Sequence, residues 1–322
     1  MSSPGRHLGS GAGIVLMTTI LVGCGGSPPT SSPAAASAAA ASAAAANAAA
    51  ANAPCDAPPG VSTSVSFTID GAPRSALVHA PKDGSGSKPM PLVLALHGYG
   101  GFGMEMELTS QLSEASDEHG WLVVYPEGTG TPEAWQDDPG GLGHQADISF
   151  LREVITDVVD GGCGDPKHVI VTGISQGGWL SDMAGCEMTD VVGGVVAVAG
   201  RDMGWACKPA APIPFVAVNG VLDQVLPYEG GPVNVAAPVT RVDAVDDWLS
   251  ARAQSRGCHG QPAESSASAH VRLRVWPGCR APVSLYRVED GGHTWPNGGG
   301  QDPPVDHELS VDAILAGLFA AM

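Results

Sequence analysis

Basic residues are scarce in this chain. Fifteen Lys and Arg face 33 Asp and Glu, a formal net charge of −18 at pH 7. Every acidic residue and 14 of the basic ones lie after residue 54, so that stretch alone carries −19. Such a surface disfavours nucleic acid and anionic lipid headgroups as partners. It identifies no substrate, and solubility is its ordinary role. Long apolar runs are also missing. Residues 13–23 are mostly apolar, but eleven residues are too few to span a bilayer, and no other stretch comes closer. There is no Cys-x-x-Cys pair, so no metal site is expected. Phosphate-binding and dinucleotide motifs are absent too, since Gly140-Gly141-Leu142-Gly143 lacks the flanking strand and helix they require. No internal repeat is visible.

What is present is concentrated at residues 168–178. A β-branched run at 169–172 reads as a buried strand. It leads into Gly173-Ile174-Ser175-Gln176-Gly177, a G-x-S-x-G sequence, and then into a plausible helix from Gly178. Strand, sharp turn and helix are the context that makes this pattern a nucleophile elbow, with the serine strained and its hydroxyl raised above a sheet. Two partners follow in order. Asp223 lies just past a second predicted strand at 214–219, and His293 follows a third at 283–288 through Glu289-Asp290-Gly291-Gly292. Serine needs a base to become a nucleophile. Histidine supplies one near neutral pH, and a carboxylate holds the imidazole in the useful tautomer. The order Ser175, Asp223, His293 is that of α/β-hydrolase triads. Upstream, the apolar strand at 91–96 ends in His97-Gly98-Tyr99-Gly100-Gly101. In this fold one oxyanion donor comes from such a loop and another from the residue after the nucleophile, so Tyr99 and Gln176 are the expected N–H donors. His97 is expected to orient the loop and not to transfer protons.

With these pieces in view, the chain resembles the bacterial secreted polyhydroxybutyrate depolymerase and feruloyl esterase family, which includes actinobacterial lipoprotein esterases of the LpqC type. The matching segments are Leu96-His97-Gly98, residues 171–178, Asp223 with Pro227-Tyr228-Glu229-Gly230-Gly231, and Gly291-Gly292-His293-Thr294-Trp295-Pro296. The resemblance spans roughly residues 60 to 318. It implies an α/β-hydrolase fold and cleavage of carboxylic esters by Ser175, Asp223 and His293. Gln176 stands where the family pattern has Asn, and Val221-Leu222 where it has Thr-Ala. Those departures leave the triad intact and weaken any transfer of substrate. The family itself covers polyester, feruloyl and acetyl esters.

The first residues suit export. Arg6 precedes the apolar stretch, which ends in Leu21-Val22-Gly23-Cys24, a sequence resembling a bacterial lipobox. The expected organisation is a lipoprotein signal peptide over 1–23, an Ala/Ser/Pro-rich tether over 24–54 lipidated at Cys24, and a catalytic domain over 55–322. The competing reading is an ordinary signal peptide with an incidental cysteine. Six cysteines remain, an even number in an exported domain, which points to disulfides. Cys258 and Cys279 lie between one predicted helix and strand, and Cys186 and Cys207 flank another strand. Cys55 and Cys163 pair by elimination.

The remaining pattern alternates as an α/β sheet should. Strands are expected near 62–69, 74–80, 91–97, 121–125, 168–173, 193–199, 214–219 and 283–288. Helices are expected near 104–118, 147–160, 177–186, 243–256 and 308–321. Only about fourteen residues separate the strands near 193–199 and 214–219, too few for a large helical cap, so an open cleft suited to extended or polymeric ester substrates is expected. Trp135, Trp205, Trp295 and Tyr228 are candidates to line it, with packing as the alternative. Trp295, beside His293, is the one assigned to substrate binding. The reading is a secreted, membrane-anchored serine esterase that needs no cofactor. A non-catalytic tethered binding lipoprotein on a hydrolase scaffold is the competing class, and a peptidase on the same fold is a third reading.

Overall fold

Leu92, Leu94 and Leu96 point to one side of a central strand and Val93 and Ala95 to the other, and all five are inaccessible to solvent. A strand apolar on both faces needs a layer of helices over each, as parallel sheets in α/β folds have. The computed structural model describes residues 50–51, 53–84, 89–136, 143–201, 207–233, 241–298 and 308–322. In chain order the strands are β1 (Ala50–Ala51), β2 (Ser62–Ile69), β3 (Ala72–His79), β4 (Met90–Leu96), β5 (Leu122–Pro126), β6 (Gly164–Ile174), β7 (Gly194–Val198), β8 (Phe215–Gly220), β9 (Gly231–Pro232), β10 (Arg241–Val242), β11 (Ala263–Ser266), β12 (Val271–Val275) and β13 (Val283–Val288). The helices of eight or more residues are α1 (Gly103–Ser110), α2 (Leu112–His119), α3 (Gly143–Asp160), α4 (Gln176–Glu187), α5 (Val245–Ser255) and α6 (Val311–Ala321).

One sheet runs β1-β2-β3-β5-β4-β6-β7-β8-β13-β12-β11. Its middle, from β5 to β13, is parallel throughout, and antiparallel strands close both sides. Helices α3, α4 and α5 cover the face of Leu92 and Leu94 through Leu151, Val154, Trp179, Leu180, Trp248 and Leu249. Helices α1, α2 and α6 cover the opposite face through Met106, Leu112, Ala115, Leu315 and Phe319. This is the mostly parallel α/β sheet flanked by helices that the sequence predicts. Truncating a fully buried leucine such as Leu94 to alanine costs about 2–5 kcal/mol in such a core.

The structure differs from the pattern reading in several places. The helix expected over 104–118 is two helices, because Gln111 turns to a left-handed φ of 56° and ends α1. Helix α3 begins at Gly143, four residues before the expected start. An antiparallel hairpin, β11 with β12, extends the sheet beyond β13. Every residue of β11, Ala-Glu-Ser-Ser, is exposed, so no apolar alternation marks it. In β12 the Val-Arg-Leu-Arg-Val alternation is the signal that marks a strand. Ala50–Ala51, inside the expected tether, pair in parallel with β2.

Three disulfides form, Cys55–Cys163, Cys186–Cys207 and Cys258–Cys279, the two pairs expected from position and the one expected by elimination. The first joins the segment before β2 to the residue before β6. Cys24 and the apolar stretch at 13–23 lie outside the described residues. Among the described residues no helix is long and apolar enough to cross a membrane.

Candidate active site

Strand β6 and helix α4 meet at Ser175, which has φ 59° and ψ −120°. A residue with a Cβ pays roughly 1–3 kcal/mol for such a backbone, and its neighbours must hold it there. They do so by backbone contact. Ser175 N–H donates to Val198 O at 2.9 Å, and a Cβ on Gly177 would lie 2.2 Å from Leu96 O. A Cβ on Gly173 would meet the Gly177 backbone at 2.6 Å. The glycines of G-x-S-x-G are therefore fixed by the closeness of β4, β6 and α4.

The loops after β8 and β13 are joined in the same way. Gly220 pairs with Val288, Leu222 N–H donates to Gly291 O at 2.9 Å, and a Cβ on Gly220 would lie 2.3 Å from that oxygen. This backbone fit brings two residues 70 positions apart into contact. His293 Nδ1 and Asp223 Oδ2 are 2.8 Å apart. The other carboxylate oxygen of Asp223, Oδ1, accepts from Val225 N–H and Leu226 N–H, each at 2.8 Å. An acceptor so occupied takes the Nδ1 proton of His293 and leaves Nε2 as the basic nitrogen. Two carboxylates near the histidine in sequence face other partners: Glu289 pairs with Arg287 at 2.8 Å, and Asp290 lies 3.8 Å from His270.

Sequence reasoning missed what holds the acid loop. Arg201, 1% exposed, donates to Pro227 O at 2.9 Å, Asp243 O at 2.7 Å and Leu226 O at 2.7 Å. Burial lowers its pKa to about 10, and the charge of Asp223 opposes that shift, so the guanidinium stays cationic behind the loop. Nothing near Arg201 in sequence marks it, because all three carbonyls come from residues at least 25 positions away.

The loop after β4 is held from behind by residues 127–136. His97 is 2% exposed, and burial drops its pKa to about 4, so the ring is neutral. Gly128 N–H donates to its Nε2 at 2.9 Å, and its Nδ1 lies 2.8 Å from Gly98 O. Trp135 stacks on the imidazole with centroids 4.7 Å apart, and its indole N–H donates to His97 O at 2.8 Å. The same tryptophan clasps Gln176: Trp135 N–H donates to Oε1 at 3.0 Å, and Nε2 donates to Trp135 O at 2.9 Å. One buried residue thus ties together the two segments expected to supply oxyanion donors. Within the loop, Gly100 N–H is spent on Glu133 O and Gly101 N–H on Gly98 O. Of these three consecutive residues, Tyr99 is the one whose N–H makes no such bond with the described residues.

Glu127 stands just behind this loop, accepting from Gly103 N–H at 2.7 Å. Burial, reinforced by the like charge of Glu133, raises its pKa to about 7. A carboxyl whose pKa is higher in the folded state favours folding while protonated. That contribution is complete below the ordinary value of 4.5 and is lost as pH rises through about 7. Glu127→Gln keeps the acceptor for Gly103 without the charge. Its melting temperature is expected to exceed that of the wild type at pH 8 and to match it at pH 5. Parallel melting curves across that range would remove Glu127 as the titrating group.

Ser175 and His293 open on one cleft of about 370 Å³, whose walls include Tyr99, Glu105, Met106 and Ile174. Trp295 is not on those walls. It is 1% exposed and packs in the core beneath α2 and α6, so its assignment to substrate binding is corrected to packing. Trp135 is buried against His97, and Tyr228 is buried with its hydroxyl donating to Asp246. Trp205 lies outside the described residues. Two clusters among the described residues have the residue types of a metal site, but several of their donors already have partners. Cys186 and Cys207 are bonded to each other, and His97 Nε2 and Glu127 each accept a backbone N–H.

No protein-family model matches the chain. It is 29% identical over 232 residues to feruloyl esterase B of Piromyces equi, a match covering 68% of this chain and 42% of that protein's length. It is 27% identical over 276 residues to feruloyl esterase C of Emericella nidulans, covering 83% of this chain and 90% of that protein. Among solved structures, the acetyl xylan esterase from Aspergillus awamori superposes with a TM-score of 0.57 at 14% identity, over 72% of this chain and 94% of that one.

Proposed function

We propose that this chain, an α/β-hydrolase related in sequence to esterases, hydrolyses carboxylic esters through Ser175, His293 and Asp223. The 2.8 Å contact between His293 Nδ1 and Asp223 Oδ2, above a cleft that His293 shares with Ser175, carries this reading. Ser175 Oγ attacks the ester carbonyl carbon while His293 Nε2 takes its proton. Asp223 keeps the imidazole in the productive tautomer and stabilises its charged form. The oxyanion accepts from Tyr99 N–H and Gln176 N–H. His293 then gives its proton to the leaving alcohol, and water activated by the same imidazole cleaves the acyl-enzyme and regenerates the serine. No step calls for a cofactor. The strained backbone at Ser175 and the bonds of Trp135 fix the geometry before substrate arrives.

For substrate, the reading is feruloyl, short acyl or hydroxyalkanoate esters, including polymeric ones, taken in an open cleft. A screen of the purified protein against nitrophenyl esters of increasing chain length, methyl ferulate and polyhydroxybutyrate separates these. A fluorophosphonate probe tests the catalytic reading itself: labelling at Ser175 supports it, and an unlabelled, folded protein indicates a binding lipoprotein instead.

The same proposal extends to location. Three disulfides suit an oxidising compartment, and the Leu21-Val22-Gly23-Cys24 sequence suits lipidation after cleavage of residues 1–23. Cys24→Ser is expected to release the protein from the membrane fraction and leave the turnover of the soluble domain unchanged. A mature N-terminus downstream of Cys24 without an acyl mass, read by mass spectrometry, would overturn the anchor.

A further inference from the structure

Helix α1 follows the oxyanion loop directly and turns Glu105, Met106 and Thr109 toward the cleft. Among the described residues lining the cleft there is no Lys or Arg, and Glu105 is the one carboxylate. The carboxylates near it have partners. Glu107 accepts from the hydroxyls of Ser62 and Ser113, and Glu127 accepts from Gly103 N–H. Glu105 makes no hydrogen bond or ion pair with the described residues. Its Oε2 lies 3.2 Å from where a Cβ on Gly101 would be, so the carboxyl rests against the loop that offers Tyr99 N–H. Glu105 is solvent-exposed at the mouth of the cleft, and its partial burial against the walls raises its pKa above the ordinary value.

We propose that Glu105 makes the cleft charge-selective, admitting esters that are neutral or carry a cationic group near the carbonyl and turning away esters that carry a carboxylate there. This deepens the ester-hydrolase reading and rests on it. An anion entering beside this carboxylate, with no Lys or Arg among the described cleft residues to balance either charge, meets repulsion that the cleft walls strengthen relative to open solvent. A cationic or hydrogen-bond-donating group at the same place gives Glu105 the partner the protein does not supply. The selection acts on the transition state because the charge lies beside the oxyanion loop, where a carboxylate substituent stays through both chemical steps.

The test uses three esters with one leaving group: the 4-nitrophenyl esters of butyrate, of glutarate as its half ester, and of 4-(trimethylammonio)butyrate. kcat/KM is measured at pH 8 for the full chain, for Glu105→Gln and Glu105→Ala, and for Glu114→Gln, which removes an equal charge outside the cleft. The wild type is expected to prefer butyrate over the glutarate half ester by about tenfold or more, and the ammonium ester at least to equal butyrate. Either Glu105 variant is expected to shrink the butyrate-to-glutarate ratio by about tenfold, and Glu114→Gln to leave it within about twofold. Unchanged ratios in a folded Glu105 variant overturn the inference, as does an equal shift in Glu114→Gln, which would assign the effect to the net charge of the protein. If the wild type hydrolyses none of the three, the ester-hydrolase reading fails and takes this one with it. Turnover of butyrate with unaltered ratios fails the inference alone.

Discussion

Ser175→Ala is expected to abolish ester hydrolysis and leave the protein folded. Alanine keeps the Cβ, so the positive φ at 175 is as strained as before and the surrounding backbone contacts are unaltered. What is lost is the proposed nucleophile, and removing a triad member costs on the order of 10⁴-fold or more in kcat. A melting temperature within a few degrees of the wild type, together with loss of both turnover and fluorophosphonate labelling, is the expected pair of results. Near wild-type turnover by the purified variant would place the nucleophile elsewhere.

Asp223→Asn is expected to lower kcat by roughly 10²–10⁴-fold with little change in KM or folding. Asn keeps the Oδ1 that accepts from Val225 and Leu226, so the loop stays put. Its amide nitrogen replaces the oxygen that faces His293 Nδ1. Two donors then oppose each other, and the imidazole moves its proton to Nε2, the atom that receives the proton of Ser175 in the proposed mechanism. The comparison set is Glu229→Gln, Glu289→Gln and Asp290→Asn, each assayed for kcat and thermal stability. A large loss at one of those beside a small loss at 223 would move the acid.

The residues that sequence alone brought forward share a property: each sits where a strand ends. Ser175 follows β6, Asp223 follows β8, His293 follows β13 and Tyr99 follows β4; β4, β6 and β8 carry apolar runs and β13 alternates as Val-Ser-Leu-Tyr-Arg-Val, patterns that read as strands in one dimension. The disulfide partners were legible because two of the pairs close short local loops. What stayed hidden depends on contacts between loops. Arg201 grips carbonyls on either side of β9 and β10, Trp135 touches His97 and Gln176 at separations of 38 and 41 residues, and the role proposed for Glu105 rests on the lack of Lys and Arg among the described residues lining the cleft. Hydrophobic periodicity carries no information about such pairs. Trp295 shows the opposite error. Its neighbour in sequence is a site residue, but the chain after His293 turns inward and buries the indole.

The Cys55–Cys163 bond also decides how the domain bears a load. Tension on the residues ahead of Cys55 passes through the sulfurs to Cys163 and so to the start of β6, which is hydrogen-bonded to β4 on one side and β7 on the other. The pull therefore shears two rows of bonds in the middle of the sheet together. Reduce the disulfide, and the same pull falls on β2, whose antiparallel bonds to β3 can be peeled one after another from Ser62 inward. A single covalent link thus turns an edge that would unzip into a grip on the strand that leads to Ser175.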